Sequence, residues 1–434
     1  MRVRPALYLK GEIALPGDKS ISHRAAIMAA MASGESRIDN FATSADCAAT
    51  LECLRQLGVR IRQEGSSVLV DGVGKSGFCA PDRPLDCGNS GTTMRLLAGV
   101  LAGQDFESVL TGDDSLQKRP MGRIMEPLRL MGASLESENG RAPLTIRGHY
   151  PLRSIEYELP VASAQIKSCV LLAGLNSDGC TTVIEPVPTR DHTERMLRWF
   201  GAEVSEADEY RHKRRISSNG DAELTARHIT VPADISSATF FMVAGTCLRE
   251  SVIRMPRVGL NPTRAGIIEV LKGKLGVPIY VSNQSEESNE PVADISVRGR
   301  LRIQRSNEIK GRIVANLIDE LPALAVLATQ LEFGLEVRDA AELRVKETDR
   351  IAAIVENLRR MGGHVEEFKD GFRVSKSKLR GARVDSFGDH RIAMAFAVAG
   401  LLAAEGETEI VGAECVDVSF PGFFEVLQDV VVYE

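Results

Sequence analysis

LRQLGVRI, residues 54–61, is the first of five closely similar phrases in the sequence. The others are LRLMGASLE from residue 128, LRWFGAEV from residue 197, LKGKLGVPI from residue 271 and LRRMGGHVEE from residue 358. In each phrase, apolar residues three or four positions apart give a helix one apolar face. A glycine then ends the helix, since it has no Cβ and adopts a positive φ at little cost. Each phrase therefore predicts the end of an amphipathic helix followed by a β-strand.

The glycines of the five phrases lie 69 to 86 residues apart, which predicts a structural unit that repeats along the chain. A sixth copy begins at Phe424 but has little sequence after it for a strand. We expect the N-terminal stretch from Val3 to Leu15, which precedes the first unit, to supply that strand. Six units predict two pseudo-symmetric α/β domains of three units each.

The composition is that of a globular protein, with 44% hydrophobic and 26% charged residues in a chain of 434. It excludes a disordered chain, a coiled coil and collagen, and its length suits two or more domains. Apolar runs such as Ala25 to Ala32 are too short for a membrane helix, which needs about 20 residues. The N-terminus contains no apolar signal core, so we expect a cytoplasmic protein that does not associate with membranes.

The net charge of −6 bears on possible partners. Surfaces that bind nucleic acid are typically basic, so we expect no nucleic-acid partner, although a local cluster of cations can still bind a small anion. None of the eight cysteines forms a C-x-x-C pair or stands with a histidine at zinc-finger spacing. We interpret them as buried, reduced thiols and expect no metal site.

Several polar motifs interrupt the amphipathic pattern, and each of them stands at a predicted helix start. In the first half they are PGDKSISHR (16–24), CGNSGTTMR (87–95), QKRPM (117–121), SAQIK (163–167) and TRDHTER (189–195). The unpaired N–H groups of a helix N-terminus favour an anion. A glycine such as Gly91 lets a ligand approach the backbone closely. These motifs therefore predict anion binding.

The second half contains IDELP (318–322), LRVKETDR (343–350) and FGDHR (387–391). The first of these places two acids before a proline and an apolar run. In the second, Lys346 and Arg350 are four residues apart, which predicts that they share one face of a helix. The third opens the apolar stretch IAMAFAVAG.

Taken together, the motifs of both halves collect at least six cations: Lys19, Arg24, Arg119, Lys346, Arg350 and Arg391. Close cations repel by about 1 kcal/mol per pair in water unless anions or carboxylates neutralise them. Arginine is suited to a bidentate grip on phosphate and carboxylate. The pattern predicts two multiply charged substrates held between two pseudo-symmetric domains, with Asp319 and Glu347 available for proton transfer.

The motifs PGDKSISHR, GNSGTTMR, KRPM, SAQIKS, RVKETDR and GDHRIAMA, in this order, resemble those of the 5-enolpyruvylshikimate-3-phosphate (EPSP) synthase family from Leu15 to Phe424. GDKS, SAQIK, RDHTE and NPTR (261–264) resemble the second sequence class of that family, several members of which tolerate glyphosate. We therefore expect partial tolerance of this inhibitor, although Gly91 lacks the methyl group that would crowd it.

The resemblance implies the enolpyruvyl transferase fold, an inside-out α/β barrel. Its two domains each contain three β-α-β-α-β-β units around buried parallel helices. We place the lower domain at residues 1–15 plus 233–434 and the upper domain at residues 16–232, with the active site in the cleft between them.

The resemblance also implies the reaction, in which the 5-hydroxyl of shikimate 3-phosphate takes the enolpyruvyl group of phosphoenolpyruvate and phosphate is released. It implies no metal or organic cofactor, and we expect a monomer. Matching positions assign shikimate 3-phosphate to Lys19, Ser20, Arg24, Ser163, Gln165, Arg190, Asp319 and Lys346. They assign phosphoenolpyruvate to Lys19, Gly91, Arg119, Gln165, Arg350 and Arg391. Asp319 is the implied base on the 5-hydroxyl, and Glu347 with Lys19 is the implied proton relay to C3.

The sequence departs from the family pattern at two positions. Many relatives have Asn where Glu342 stands and Lys where Val418 stands, so two substrate contacts are in question. One alternative is a UDP-N-acetylglucosamine enolpyruvyl transferase, but the stretch from Gln117 to Gly132 lacks the loop cysteine of that family. Another is a non-catalytic anion-binding or RNA-end-processing relative, which the net charge and the two acids, Asp319 and Glu347, disfavour.

Overall fold

The computed structural model describes residues 1–208, 213–299 and 307–434. The chain forms two compact units. The first comprises Met1–Pro16, Pro232–Glu286 and Pro291–Glu434, and the second comprises Gly17–Val231 with Glu287–Glu290. Each unit has its own hydrophobic core.

The strands of the described residues are short. In chain order they are β1 (Arg2–Val3), β2 (Tyr8–Glu12), β3 (Ser33–Asp39), β4 (Arg60–Glu64), β5 (Ser67–Val73), β6 (Leu85–Asp86), β7 (Glu107–Thr111), β8 (Ser134–Glu138), β9 (Arg141–Arg147), β10 (Glu156–Glu158), β11 (Cys180–Glu185), β12 (Val204–Asp208), β13 (Arg214–Asn219), β14 (His228–Thr230), β15 (Val252–Gly259), β16 (Ile279–Glu287), β17 (Glu290–Arg298), β18 (Glu308–Ile309), β19 (Leu335–Val337), β20 (Val365–Phe368), β21 (Gly371–Val374), β22 (Arg383–Asp385), β23 (Thr408–Val411) and β24 (Val431–Val432).

The helices alternate with these strands. They are α1 (Lys19–Met31), α2 (Ala45–Gln56), α3 (Gly91–Ala102), α4 (Asp114–Gln117), α5 (Gly122–Leu130), α6 (Ala164–Gly174), α7 (His192–Trp199), α8 (Ile235–Cys247), α9 (Gly266–Glu269), α10 (Ile313–Leu317), α11 (Leu321–Ala328), α12 (Arg350–Arg360), α13 (His390–Leu401) and α14 (Phe423–Val430). A π-helical turn, Val270–Lys274, continues α9, and 3-10 helices lie at Ala341–Val345 and Ala413–Val418.

The strand order repeats from sheet to sheet. In the second unit the three sheets have the orders β14-β3-β5-β4, β6-β7-β9-β8 and β10-β11-β13-β12. In each of them the first pair is parallel and the two later pairs are antiparallel. One sheet of the first unit has the same order, β18-β19-β21-β20. A larger sheet has the order β16-β17-β15-β2-β24, and its first four strands, taken from β2 to β16, follow the same order. The predicted repeat is therefore confirmed at the level of strand topology.

The N-terminal stretch completes the sheet of the last repeat. β1 pairs antiparallel with β23, which places Arg2 beside Glu409 and Val3 beside Thr408. The chain then continues into β2, which pairs with the C-terminal strand β24 through Leu9 and Val431. The prediction that residues near the N-terminus supply the missing strand is confirmed.

The five repeated phrases form the predicted helix ends. Their glycines all have positive φ angles, from +70° to +106°, and stand between a helix and the strand that follows it. Only the fourth phrase differs, because its helix ends as a π-helical turn. The sixth copy passes directly from α14 into β24, with Val431 in an extended conformation instead of a glycine.

Each repeat also contains an inner helix that is almost fully buried. These inner helices are α1, α3, α6, α8, α11 and α13, and every residue of α13 is buried. Small residues allow them to pack closely: a Cβ at Gly99 of α3 would lie 2.2 Å from the Cys169 carbonyl oxygen of α6. The polar sequence motifs stand mainly at the N-termini of these buried helices, which fixes where the chemistry of each unit is found.

The structure also bears on the cysteines and on the lengths of the helices. All eight cysteines are free, but Cys79 and Cys180 are exposed, so the expectation of buried thiols is wrong for these two. Cys79 lies in the loop between β5 and β6, and Cys180 is the first residue of β11. Among the described residues, no helix is long and apolar enough to span a membrane.

The repeated glycines offer a test of the fold. Gly362 has φ +80° and open space where a Cβ would stand, whereas Gly273 has the same open space within a helical turn and no positive φ. We expect Gly362→Ala to lower the free energy of unfolding by about 1–2 kcal/mol through its backbone conformation alone. Gly273→Ala in the same unit should leave it unchanged or raise it slightly. Urea unfolding measures both, and equal effects would contradict the assigned helix end.

Candidate active site

The N-terminus of α1 presents a lysine in the second unit. The side chain of Asp18 caps the helix by accepting a hydrogen bond from the Ile21 N–H at 2.9 Å. Lys19 is therefore the first helical residue, and its Nζ lies 2.8 Å from Asp46 Oδ2 on α2. Ser20 follows it, and the next turn of the helix carries Arg24.

Arg24 is a buried cation held by neutral oxygens. Its guanidinium donates to Thr193 Oγ1 at 2.7 Å, to Ser168 Oγ at 2.8 Å and to the Ser20 carbonyl at 2.9 Å. Burial lowers the pKa of Arg24 to about 10; Glu194 opposes this shift, and Arg190 adds to it. The group stays protonated at neutral pH, and none of these three partners cancels its charge. The arrangement suits the binding of an anion.

Arg95, one turn into α3, braces the residues around Gly91. Its Nη1 donates to Gln165 Oε1 at 2.8 Å, and its Nη2 donates to the Pro120 carbonyl at 3.2 Å. Gln165 Nε2 in turn donates to Thr92 Oγ1 at 3.0 Å. The Gln165 amide is therefore fixed in orientation, with its oxygen already engaged by Arg95. A Cβ at Gly91 would lie 2.6 Å from Arg95 Nη1.

Arg119 also faces this region, although it does not begin a helix. It lies between α4 and α5, and its motif, QKRPM, ends at Met121, the N-cap of α5. Pro120 follows Arg119 and disfavours helical geometry at that position. The Arg119 guanidinium donates to Asn89 Oδ1 at 2.6 Å, just before α3. A Cβ at Gly91 would lie 3.5 Å from Arg119 Nη1, so both residues occupy the same region.

The remaining predicted residues of the second unit lie at the starts of α6 and α7. Ser163 caps α6, and its hydroxyl accepts from the Ile166 N–H at 3.4 Å. Arg190 is half-buried two residues before α7 begins. Deeper in the unit, the fully buried Lys167 lies 2.7 Å from Glu194 Oε1 and 3.1 Å from Glu185 Oε1. Of the two carboxylates, Glu194 also acts electrostatically on Arg24.

Asp319 is the centre of a second cluster, in the first unit. Its Oδ1 lies 3.3 Å from Arg350 Nη1 and 3.5 Å from Arg391 Nε. The Arg391 Nη1 also donates to the Asp319 carbonyl at 3.1 Å. Asp319 Oδ2 faces a third arginine, Arg264, at 3.5 Å. Three guanidinium groups thus surround one carboxylate, and the structure brings together the predicted residues Asp319, Arg350 and Arg391.

Arg350 links this cluster to two further acids. It is 1% exposed, and it contacts Asp389 Oδ2 at 2.7 Å and Glu347 Oε2 at 2.6 Å. Burial by itself lowers the pKa of a guanidinium, but the carboxylates of Asp389, Glu347 and Asp319 outweigh burial and raise the pKa of Arg350. Arg350 is therefore permanently charged, and its position is fixed by three acids.

Lys346 does not share a helical face with Arg350, and that prediction is wrong. The carboxylate of Asp349 caps α12 by accepting from the Ala352 N–H at 3.0 Å, so the helix begins only at Arg350. Lys346 ends the preceding 3-10 helix in an extended conformation. Burial lowers the pKa of Lys346; Asp319 opposes this shift, and Arg350 adds to it. Lys346 nevertheless belongs electrostatically to the Asp319 cluster.

Several residues of these clusters are not among the predicted site residues. They are Asp46, Arg95, Arg264, Glu320 and Asp389. Most stand inside motifs that the sequence does single out, yet only distances reveal their partners. At the two positions that depart from the family pattern, Glu342 is exposed and Val418 is half-buried in a 3-10 helix.

Two α/β units of three small sheets, with buried helices that begin in basic and acidic motifs, define the enolpyruvyl transferase class of proteins. Comparison with known proteins identifies the family within that class. The family model for EPSP synthase (3-phosphoshikimate 1-carboxyvinyltransferase) matches residues 3–427. The chain belongs to the EPSP synthase family.

Individual relatives match this sequence over almost the whole chain. The 3-phosphoshikimate 1-carboxyvinyltransferase of Pelotomaculum thermopropionicum is 53% identical over 430 residues, covering 98% of this chain and 97% of that protein. The protein of the same name from Salinibacter ruber is 50% identical over 432 residues and covers 98% of both chains. A solved structure of EPSP synthase from Acinetobacter baumannii has a TM-score of 0.87 and 43% identity, covering 99% of this chain and 98% of that one.

The buried pair of Arg350 and Asp389 can be tested by its effect on stability. Asp389 also caps α13 by accepting from the Arg391 N–H at 2.9 Å, and asparagine is an equally good cap. We expect Asp389→Asn to lower the free energy of unfolding by about 3 kcal/mol, because it leaves a buried guanidinium short of one counter-charge. Glu347→Gln, at a more accessible carboxylate, should cost about 1 kcal/mol or less. Denaturant unfolding compares the two variants. An unchanged free energy of unfolding in Asp389→Asn would show that the pair of Arg350 and Asp389 does not stabilise the fold.

Proposed function

We propose that this protein transfers the enolpyruvyl group of phosphoenolpyruvate to the 5-hydroxyl of shikimate 3-phosphate. The match to the EPSP synthase family over residues 3–427 carries this proposal. In the reaction, the 5-oxygen bonds to C2 of phosphoenolpyruvate while C3 takes a proton. C3 then loses a proton as the bond from C2 to the phosphate oxygen breaks, so the products are the enolpyruvyl ether and phosphate. The step belongs to the shikimate pathway of aromatic amino-acid biosynthesis.

The second unit contributes cations and fixed hydrogen-bond donors to the proposed binding of substrates. Lys19, Ser20, Arg24, Ser163, Gln165 and Arg190 would hold shikimate 3-phosphate, and Lys19, Gly91, Arg119 and Gln165 would hold phosphoenolpyruvate. The contacts of Arg24 with hydroxyl and carbonyl oxygens support this assignment, because they leave its charge available to an anion. Gln165 is oriented by Arg95 so that its remaining N–H can donate.

The first unit contributes the proposed acid–base groups. Asp319 would remove the proton of the 5-hydroxyl, and Glu347 with Lys19 would relay a proton to C3. Arg350 and Arg391 would hold phosphoenolpyruvate, and Lys346 would contact shikimate 3-phosphate. The distances of 3.3 and 3.5 Å from Asp319 to the two arginines support a common role. Preorganised charges of this kind stabilise developing negative charge in the transition state.

We further propose that the protein acts as a cytoplasmic monomer and binds neither nucleic acid nor membranes. The acidic net charge supports the absence of a nucleic-acid partner. Its location and oligomeric state are addressed by fractionating the cells that make it and by light scattering of the purified protein.

Phosphate release tests the proposed reaction directly. The purified protein should release inorganic phosphate from phosphoenolpyruvate in the presence of shikimate 3-phosphate. Replacing shikimate 3-phosphate by UDP-N-acetylglucosamine should abolish the release. Release only with UDP-N-acetylglucosamine would assign the chain to the other enolpyruvyl transferase activity. If neither acceptor gives phosphate release, both activities are refuted.

Two arginines should matter for turnover much more than for folding. We expect Arg119→Ala and Arg391→Ala each to lower kcat/KM for phosphoenolpyruvate by roughly 10- to 100-fold, since a charge-assisted hydrogen bond contributes about 1.5–3 kcal/mol. Arg123→Ala is the matched control, because Arg123 is exposed on α5 four residues from Arg119. Near-wild-type turnover by the first two variants at subsaturating phosphoenolpyruvate would remove them from the proposed site.

Gly91 is expected to discriminate between phosphoenolpyruvate and the slightly longer inhibitor glyphosate. The Cβ of Gly91→Ala would stand 2.6 Å from Arg95 Nη1, so the variant must also shift that guanidinium. We therefore expect the inhibition constant for glyphosate to rise more than the KM for phosphoenolpyruvate, with both increasing. Gly122→Ala, where a Cβ meets open space, serves as the control. Equal increases in the two constants, measured in one buffer, would contradict discrimination by Gly91.

A further inference from the structure

The motif NPTR, residues 261–264, has no role in the function proposed above. It forms the turn before α9, where Asn261 Oδ1 accepts from the Thr263 N–H at 2.9 Å. The turn directs Arg264 into the first unit, where only 3% of the residue is exposed. A buried arginine at this position needs partners, and the Asp319 cluster supplies them.

Arg264 contacts groups from two inner helices. Its Nη2 donates to Ser236 Oγ at 2.5 Å on α8 and lies 3.7 Å from Glu320 Oε1 at the start of α11. The Ser236 hydroxyl itself donates to Glu320. On the other side, Arg264 Nη1 lies 3.5 Å from Asp319 Oδ2. Arg264 therefore spans from a fixed hydroxyl and a buried carboxylate to the proposed base.

The two oxygens of Asp319 have different neighbours. Oδ1 faces Arg350 and Arg391, which are proposed to bind phosphoenolpyruvate, whereas Oδ2 faces Arg264. An anionic substrate held by Arg350 and Arg391 competes with Oδ1 for their donors. Arg264 is tied to Ser236 and Glu320 behind the carboxylate, so its contact with Oδ2 does not depend on the substrate.

We infer that Arg264 is a positioning residue for Asp319, which holds the carboxylate in one orientation and keeps it ionised while substrate occupies the other arginines. This inference rests on the proposed function, in which Asp319 takes the proton of the 5-hydroxyl. Arg264 acts through Asp319 and has no contact with the reacting atoms in this assignment. A guanidinium suits the task because its planar fork reaches Ser236 and Asp319 at once.

Other charged groups interact with Asp319 or with one of its arginine partners, and all of them bear on any pH effect. They come from the starts of four helices and are Asp234, Glu320, Lys346, Glu347, Arg350, Asp389 and Arg391. His390 adjoins this set at the first residue of α13. The wild-type protein and the Arg264 variants have the same set of neighbouring groups, so a difference between their pH profiles traces to the replacement of Arg264.

The test measures kcat against pH, with both substrates saturating, for Arg264→Met and Arg264→Lys. Methionine removes the positive charge, so we expect the acid limb of the profile to move to higher pH by about one unit or more. Lysine keeps the charge but cannot reach both partners, so the limb should stay in place while kcat falls about tenfold or more. Arg373→Met is the control, because Arg373 is a half-exposed arginine of the same unit, paired with Glu336 and Glu366.

The outcomes separate cleanly. An acid limb that does not move in Arg264→Met, or that moves equally in Arg373→Met, overturns the inference. If Arg264→Met does not fold, as judged by circular dichroism, Arg264→Lys decides: a wild-type kcat overturns the inference, and a reduced kcat with an unmoved limb supports it. If the wild-type protein itself releases no phosphate from the two substrates, the proposed function fails before Arg264 is in question.

Discussion

A buried guanidinium needs hydrogen-bond partners in place of water, and Arg350 shows how the first unit supplies them with carboxylates. Asp319, Glu347 and Asp389 all contact it, and each acid comes from the N-terminal edge of a different helix or turn. Moving any one of these helices by a turn would leave Arg350 with a missing partner. The contacts of Arg350 with these three acids therefore restrict how the helices pack, and the same contacts set the positions of the proposed site residues.

The two units meet the requirement in opposite ways. In the second unit, Arg24 donates to hydroxyl and carbonyl oxygens, and Glu194, the acid that acts most strongly on its pKa, is paired with Lys167. In the first unit, the arginines contact carboxylates directly. Arg24 of the second unit is thus held by neutral oxygens, whereas the arginines of the first unit are held by carboxylates. This division matches a reaction that must both bind anionic substrates and move protons.

The sequence predicts the fold well because the decisive signals are local. The residue that ends each amphipathic helix has a positive φ, and the sequence has a glycine at that position in all five phrases. Register and partners are non-local, and there the sequence fails. Asp349 caps α12, so the helix begins only after Lys346, and Lys346 and Arg350 do not share the expected helical face. Arg264 meets Asp319 across 55 positions of sequence, and no spacing rule brings them together.

The charge balance of the first unit also bears on how an anion would act there. Four cations, Arg264, Lys346, Arg350 and Arg391, stand among five carboxylates, Asp234, Asp319, Glu320, Glu347 and Asp389. The cluster is therefore already neutralised by the protein, and repulsion among its cations does not by itself demand a ligand.

An anion that binds Arg350 and Arg391 takes donors away from Asp319 and Glu347 and adds negative charge beside them. Both effects raise the proton affinity of a carboxylate. Glu347, the proposed proton relay, is the more accessible of the acids on Arg350, while Asp319 has a further counter-charge in Arg264. Under the proposed assignment, binding of phosphoenolpyruvate would be coupled to proton transfer through the same guanidinium groups.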